Sequence, residues 1–315
     1  MTVHKDIERL QEFKNAVVTI GTFDGVHTGH QEIISRLKTE AKRINGETVI
    51  ITFHPHPRKV VYHETKKIEL INTIDERIGL LAEKGIDHLV IVPFTEKFSA
   101  LSPNQYVEDF LKAKFNPAVV IIGYDHKFGK ERKGDYKLLE EYCHKGFFEL
   151  KEIPQHLLNN ITVSSTMIRE SLKQGDIDKV NQLLGYKFFF EGKVVKGDQR
   201  GRTIGFPTAN IELTNPEKII PGNGVYIVEL EISGMNKRFR GMMNIGVRPT
   251  VDGSRKTIEV NILDFNEDIY GRTVTVYLEK YLRPEMKFAG LDALKAQLEK
   301  DRQDSVNYFN HKFLH

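Results

Sequence analysis

The hydrophobic pattern of the chain changes period once, close to Leu184. Before that point, short apolar runs rich in β-branched residues alternate with stretches of helical spacing. Residues 16–20, 48–53, 88–94, 118–123 and 147–153 read as buried strands. Residues 29–44 and 74–84 read as amphipathic helices, the second stopped by Gly85. Ser102-Pro103 opens a further helix, with serine as N-cap and proline in the first turn. Residues 163–169 open another, and residues 176–184 form a short one. Strands that alternate with helices predict a parallel sheet covered by helices, an α/β domain. After Gly185 the period drops to two and helices nearly vanish. Residues 187–196, 225–232, 239–245, 257–263 and 273–278 are the candidate strands, separated by glycine and Asn/Asp turns. That pattern predicts a small antiparallel β-barrel, with residues 291–309 as a covering helix. The expected domains are therefore 1–184 and 185–315.

Composition narrows the class. The chain has 315 residues, 28% charged and 40% hydrophobic, with a formal charge of +3. No basic run dominates, so nucleic acid is not an expected partner. One cysteine, Cys143, excludes an intramolecular disulfide. The first residues, MTVHKDIERLQEF, lack the apolar core of a secretory signal, and no apolar run is long enough to span a bilayer. The expectation is a cytoplasmic protein without a membrane partner. Its oligomeric state is left open.

Candidate chemistry concentrates where predicted strands end. Residues 21–30, G-T-F-D-G-V-H-T-G-H, join the first strand to the first long helix. A glycine-bearing turn into a helix N-terminus aims backbone N–H groups and the helix dipole at an anion. His27 and His30 share one face of the first turn, where imidazole N–H groups can donate to phosphate. A surface pair or a metal pair fits the same spacing, though the glutamate of a zinc hydrolase motif is absent. His54-Pro55-His56-Pro57 follows the second strand at the edge where open α/β sheets bind ligands. Gly123-Tyr124-Asp125-His126-Lys127-Phe128-Gly129-Lys130 follows the fourth strand. Ser164 and Ser165 either cap the helix after residue 163 or, with Thr166 and Arg169, face phosphate.

In the second half, residues 197–210 hold Gly197, Gly201 and Gly205 with three charged residues, Asp198, Arg200 and Arg202, a composition suited to a flexible phosphate-covering flap. The segment is not a Walker A loop. Thr208 and Asn210 point the same way in an extended chain and offer the hard oxygens that Mg²⁺ accepts. An ordinary polar loop accounts for the same string.

These strings together resemble known ones. Residues 21–30 are similar to the signature of bacterial FMN adenylyltransferases, a branch of the H-x-G-H nucleotidyltransferases with a Rossmann-like parallel sheet. The F-H-P-H-P string (53–57) and the S-S-T-x-I-R string (164–169) match that family too. At 123–135, Gly123, Asp125, Phe128, Gly129, Gly134 and Asp135 fit its pattern, while His126 stands where an aromatic residue is usual. G-R-T-I-G-F-P-T-A-N-I (201–211), G-V-Y (224–226), M-N-I-G-V-R-P-T (243–250) and I-E-V-N (258–261) resemble the flavokinase (riboflavin kinase) motifs, with Asn261 where histidine is frequent.

The resemblance to the bifunctional riboflavin kinase/FAD synthetase family implies two ATP-dependent steps. Riboflavin is phosphorylated to FMN, and FMN is adenylylated to FAD with release of pyrophosphate. It implies His27, His30 and Glu259 as catalytic residues, Glu259 as general base. It implies ATP and phosphate contacts from Gly21, Phe23, Asp24, Gly25, Gly29, His54, His56, Ser164, Ser165, Thr166 and Arg169. In the second half these come from Gly197, Arg202, Gly205 and Thr208. Flavin contacts fall to Asp125, Phe128, Asn244 and Arg248, and Mg²⁺ to Thr208 and Asn210. Two other readings use the same residues: a monofunctional kinase with a flavin-binding or regulatory first half, and a flavin carrier without catalysis.

Overall fold

A computed structural model describes residues 1–61, 69–123, 126–153, 163–197, 200–250 and 253–312. The chain forms two compact units, Met1–Ser165 and Thr166–His315.

The first unit is built on a parallel sheet, six-stranded among the described residues. Its strands are β1 (Thr2–His4), β2 (Val17–Ile20), β3 (Thr48–His54), β4 (His88–Pro93), β5 (Val119–Gly123) and β6 (Glu149–Ile153). They lie in the order β1-β4-β3-β2-β5-β6, all parallel. Strands β2 to β5 are almost wholly buried, as strands covered on both faces must be. Each fully buried Val, Ile or Leu there contributes about 1.5–3 kcal/mol. Helices α1 (Thr28–Ile44) and α2 (Ile74–Glu83) are two of the connections. Asn45, in the left-handed region, ends α1. Thr73 and Glu76 form a capping box at the start of α2. The helix after Ser102 differs from expectation, because a three-residue α-helical start passes into π-helical turns over Tyr106–Lys112. Tyr106, Val107, Phe110 and Leu111 are buried there among the rings of Phe98, Phe115 and Phe128. β1 was not expected. Its three residues are too few to show a period, and it lies at the sheet's edge beside β4.

Strand order matters for function. β2 connects through α1 to β3 on one side, and its other neighbour is β5. The chain thus reverses its direction of travel across the sheet at β2. Open α/β sheets bind ligands outside the carboxyl ends of the strands at such a reversal. The turn after β2 and the loop after β5 both emerge there.

The second unit opens with α3 (Ser165–Gln174), whose first residue closes the first unit, and α4 (Ile177–Leu184). Asp176 caps α4, and Gly185 ends it in the left-handed region. A closed barrel follows in the order β10-β11-β8-β7-β12-β9. Its strands are β7 (Phe189–Val195), β8 (Ala209–Leu213), β9 (Gly224–Ile232), β10 (Arg238–Thr250), β11 (Gly253–Ile262) and β12 (Thr273–Arg283). The last helix, α5, runs Leu291–Lys312. β8 is not among the expected strands and begins at the end of the 197–210 segment; pairing with β7 and β11 makes it a strand and closes the barrel.

Candidate functional site

In the first unit the signature segment forms a strained turn between β2 and α1. Phe23, Gly25 and Val26 have φ values of 48°, 96° and 36°. Two of these are non-glycine residues, one of them β-branched, in a region that costs about 1–3 kcal/mol each. The strain persists because the surroundings over-determine the turn. Phe23 and Val26 are fully buried. Asp24 is 1% exposed, and its carboxylate accepts from the backbone N–H groups of Asn72 at 3.0 Å and Ile71 at 3.3 Å. The Asp24 carbonyl accepts from Ser165 Oγ at 2.9 Å.

His27 is the N-cap of α1, and its Nδ1 accepts from the His30 backbone N–H at 3.4 Å. In the neutral ring the proton therefore sits on Nε2, as a donor. The His27 and His30 rings stack with centroids 3.7 Å apart and an interplanar angle of 18°. Gly29 allows this, since a Cβ there would lie 3.2 Å from His27 Nδ1. Both rings are held neutral. Burial lowers the pKa of His27 to about 4 against a raising influence of Asp24. His30 is pushed well below the ordinary value by burial, then by His27, then by Arg77. His30 Nδ1 is buried and has no hydrogen-bond partner among the described residues. A buried polar atom left unpaired asks for an explanation, and a bound ligand is one.

The remaining sequence-selected residues of this unit fall as follows. Gly21 ends the strand, donating to the Ile51 carbonyl at 3.0 Å. His54 ends β3, beside β2, with its pKa lowered by burial and then by Arg77. His56 turns inward on its own loop, its Nδ1 accepting from Arg58 N–H at 3.2 Å. Asp125 lies outside the described residues. Phe128 is a core ring, 4.9 Å from Tyr106, and Gly134 leaves it room: a Cβ there would lie 2.5 Å from that ring. His126 stacks on Phe128 at 5.9 Å. Ser164 is exposed; Thr166 and Arg169 belong to the second unit, on α3.

In the barrel, β-register does the assembling. Asn210 of β8, Glu259 of β11 and Asn244 of β10 are in-register neighbours across three adjacent strands. Such neighbours share one face. Glu259 Oε1 accepts from Arg248 Nη2 at 2.5 Å, and Oε2 accepts from Thr208 Oγ1 at 3.4 Å. Two cavities adjoin here. One, of about 550 Å³, has an apolar lining that includes Phe206, Val225, Met243 and Leu294, with Glu259 and Arg248 among its polar groups. The other, of about 480 Å³, is lined in part by Arg202, Pro207, Ala209, Val260 and Tyr270. Thr208 lines both.

Glycines shape the flap. Gly205 has φ +84°, and a Cβ on Gly201 would lie 2.1 Å from the Phe206 carbonyl oxygen. A Cβ on Gly197 would lie 2.2 Å from Asn210 Nδ2, so the Asn210 carboxamide occupies the space that glycine leaves.

Two further contributors, Glu285 and Arg77, belong to no motif of the sequence, and a third, Asn261, stands in one only as a departure from the usual histidine. Asn261 donates to the Pro207 carbonyl at 2.8 Å and so holds the strand entry that carries Thr208. Glu285 accepts from Asn244 Nδ2 at 3.3 Å. Arg77 is buried beneath the signature turn. Of Glu285 and Arg77, Arg77 left a signal: it falls on the Ile74–Leu81 stripe of α2 rather than on its polar face.

Comparison with known proteins agrees with both halves. A family model described as FAD synthetase matches residues 9–167, and one described as riboflavin kinase matches residues 184–309. A bifunctional riboflavin kinase/FMN adenylyltransferase of Listeria monocytogenes is 39% identical over 296 residues, covering 94% of this chain and 93% of that one. Its Bacillus subtilis counterpart is 36% identical over 303 residues, covering 95% and 94%. A crystal structure of a macrolide-efflux protein from Streptococcus pneumoniae superposes with a TM-score of 0.86 at 32% identity, covering 97% of this chain and 98% of that one. Among the described residues no helix of this chain is long and apolar enough to cross a membrane. With two matching domains in tandem and relatives aligned nearly end to end, the chain belongs to the family of bifunctional riboflavin kinase/FMN adenylyltransferases.

Proposed function

We propose that the two ATP-dependent reactions of this bifunctional transferase run at separate sites, adenylylation of FMN in residues 1–184 and phosphorylation of riboflavin in residues 185–315. The observation that carries the kinase half is the pair of cavities meeting at Thr208 beside Glu259. Riboflavin fits the larger, apolar one, with its ribityl 5′-hydroxyl at Glu259. The ATP phosphates fit the other, with Arg202 on its wall. Glu259 takes the hydroxyl proton, the oxygen attacks the γ-phosphorus, and ADP leaves. Arg248 orients the Glu259 carboxylate, and Asn244 extends the polar row toward the flavin.

The donor set suits Mg²⁺. Thr208 and Asn210 offer neutral hard oxygens, and Gly197 leaves the space in which the Asn210 carboxamide sits. Bound there, Mg²⁺ supplies charge neutralisation on the phosphates.

For adenylyl transfer, the FMN phosphate attacks the α-phosphorus of ATP and pyrophosphate leaves. The α1 N-terminus and the neutral imidazoles of His27 and His30 donate to oxygens on which charge develops. The turn residues Gly21, Phe23 and Gly25 shape that approach, with His54 and His56 beside it. Ser164 and Ser165 take the triphosphate. The flavin contact that the family resemblance implies for this unit falls to Asp125, outside the described residues, and to Phe128.

The test is chromatography of products from riboflavin, excess ATP and Mg²⁺. FMN followed by FAD is expected. FMN alone would reduce the first unit to binding or regulation, and no product from folded protein would leave only a carrier.

A further inference from the structure

We propose that Arg77 is a positioning residue of the adenylyl-transfer site, its guanidinium clamping the turn that carries His27 and α1. The inference rests on the reading of that site given above. Arg77 sits on α2, 3% exposed, with no substrate-facing surface of its own. Its Nη1 donates to Thr52 Oγ1 at 3.3 Å, and its Nη2 donates to the Asn72 carbonyl at 3.5 Å. The same Nη2 stands 3.9 Å from the Asp24 carboxylate. Thr52 Oγ1 in turn donates to the Thr22 carbonyl at 3.1 Å. Asp24 closes the ring by accepting from Ile71 and Asn72 N–H.

The turn residues Thr22 and Asp24 are thus gripped through one planar cation, from β3 on one side and from the 71–72 loop on the other. A planar fork with several fixed donors reaches three partners at once; an ammonium does not reproduce that geometry. The strain at Phe23 and Val26 shows what the grip opposes, because released from it the turn would relax toward ordinary backbone. Relaxation would carry the start of α1, and with it His27 and His30, away from the geometry that transfer needs. Misplacement by about 1 Å is enough to lose about 10²-fold in rate.

Arg77 has a second consequence that packing alone would lack. Its charge acts on His30 and on His54, lowering both pKa values behind burial. The groups that face the histidine pair within this unit are His27 on α1, Asp24 in the turn, Arg77 on α2 and, past Arg77, His54 at the end of β3. Removing the cation leaves Asp24 without its counter-charge, so the imidazoles protonate at higher pH.

The experiment uses the full chain carrying Arg77→Met, Arg77→Lys or His30→Ala. FAD formation from supplied FMN is followed against pH, with riboflavin phosphorylation as an internal control. Arg77→Met is expected to lower kcat for FAD formation at least about tenfold and to move the acid limb of its pH profile upward. Arg77→Lys is expected to hold the acid limb in place and to lose rate several-fold, because charge is kept and the fork is lost. Either variant at full wild-type kcat overturns the proposal. So does an equal loss in both with the acid limb unmoved, which is what a purely structural role gives. Should Arg77→Met fail to fold, the rate and acid limb of Arg77→Lys decide. His30→Ala separates the two levels: undiminished FAD formation there refutes the site reading itself, whereas its loss beside an unaffected Arg77→Met refutes Arg77 alone.

Discussion

Replacing Gly197 by alanine puts a methyl carbon where the Asn210 carboxamide lies. The added Cβ would stand 2.2 Å from Asn210 Nδ2, 2.4 Å from Cγ and 2.7 Å from Oδ1. Those distances are about 1 Å short of ordinary contact, and all three are to the Asn210 side chain, so the amide must move. Gly197 is not in the left-handed region, and alanine brings no backbone strain of its own to confuse the result. Asn210 is anchored by pairing with Val195 and Glu259 on either side, so the shift falls on its side chain. A displacement of about 1 Å in a group that positions reacting phosphates costs about 10²-fold, or about 2.7 kcal/mol of activation free energy. The expected result is FMN formation from riboflavin reduced by about two orders of magnitude, with a higher Mg²⁺ requirement. FAD formation from supplied FMN should be retained. Initial rates at saturating riboflavin and ATP across a Mg²⁺ titration measure the first, and product chromatography the second. A folded variant with unchanged rate and unchanged Mg²⁺ dependence would refute Asn210 as a metal-side ligand.

Other outcomes test the remaining parts. His30→Ala should abolish FAD formation and spare FMN formation, while Glu259→Ala should do the reverse; a folded variant of either kind lacking both activities would argue against separate sites. Folding holds His27 neutral, whereas the unfolded chain binds its proton near pH 6.5. Its contribution is therefore intact above that pH and is lost as pH falls toward 4, by about 3 kcal/mol in all. Urea unfolding of the first unit at pH 7 and pH 4.5 measures this, and an equal midpoint in wild type and in His27→Gln across that range would contradict it. Asn261→Leu strips the Pro207 carbonyl of its donor, with a stability loss of about 1–3 kcal/mol and slower riboflavin phosphorylation. Thermal melts and FMN initial rates check both, and wild-type values would show that Asn261 is dispensable.

Much of this architecture is legible in the linear chain. Runs such as 49–51 and 118–122 are apolar at every position because parallel strands are covered on both faces, and that leaves an unmistakable mark. The change to period two after Gly185 located the barrel for the same kind of reason. Composition hid what pairing revealed. β1 and β8 are three and five residues long, and each is a strand only because a neighbour supplies its hydrogen bonds. The π-helical turns at Tyr106–Lys112 carry no period of their own; the aromatic packing around Tyr106 and Phe110 goes with them.

The candidate sites divide along similar lines. Local chemistry singled out His27 and His30, because their spacing and the helix dipole act within one helical turn; the N-cap role of His27 and the ring stacking came with the structure. Thr208, Glu259 and Arg248 were recognisable as strings, yet their meeting depends on strand register, which brings residues fifty positions apart together. Asp24 illustrates the limit: the family resemblance implies a phosphate contact for it, while in the fold each of its oxygens accepts from the 71–72 backbone. Arg77 illustrates the converse. Sequence set it on an apolar stripe without a purpose, and only the approach of Thr52, Asn72 and Asp24 from three other segments gave it one. Periodicity and helix-end chemistry are short-range and survive in the linear chain. Register, burial of charge and the joining of cavities are set by which distant segments pack together, and these the tertiary structure alone decided.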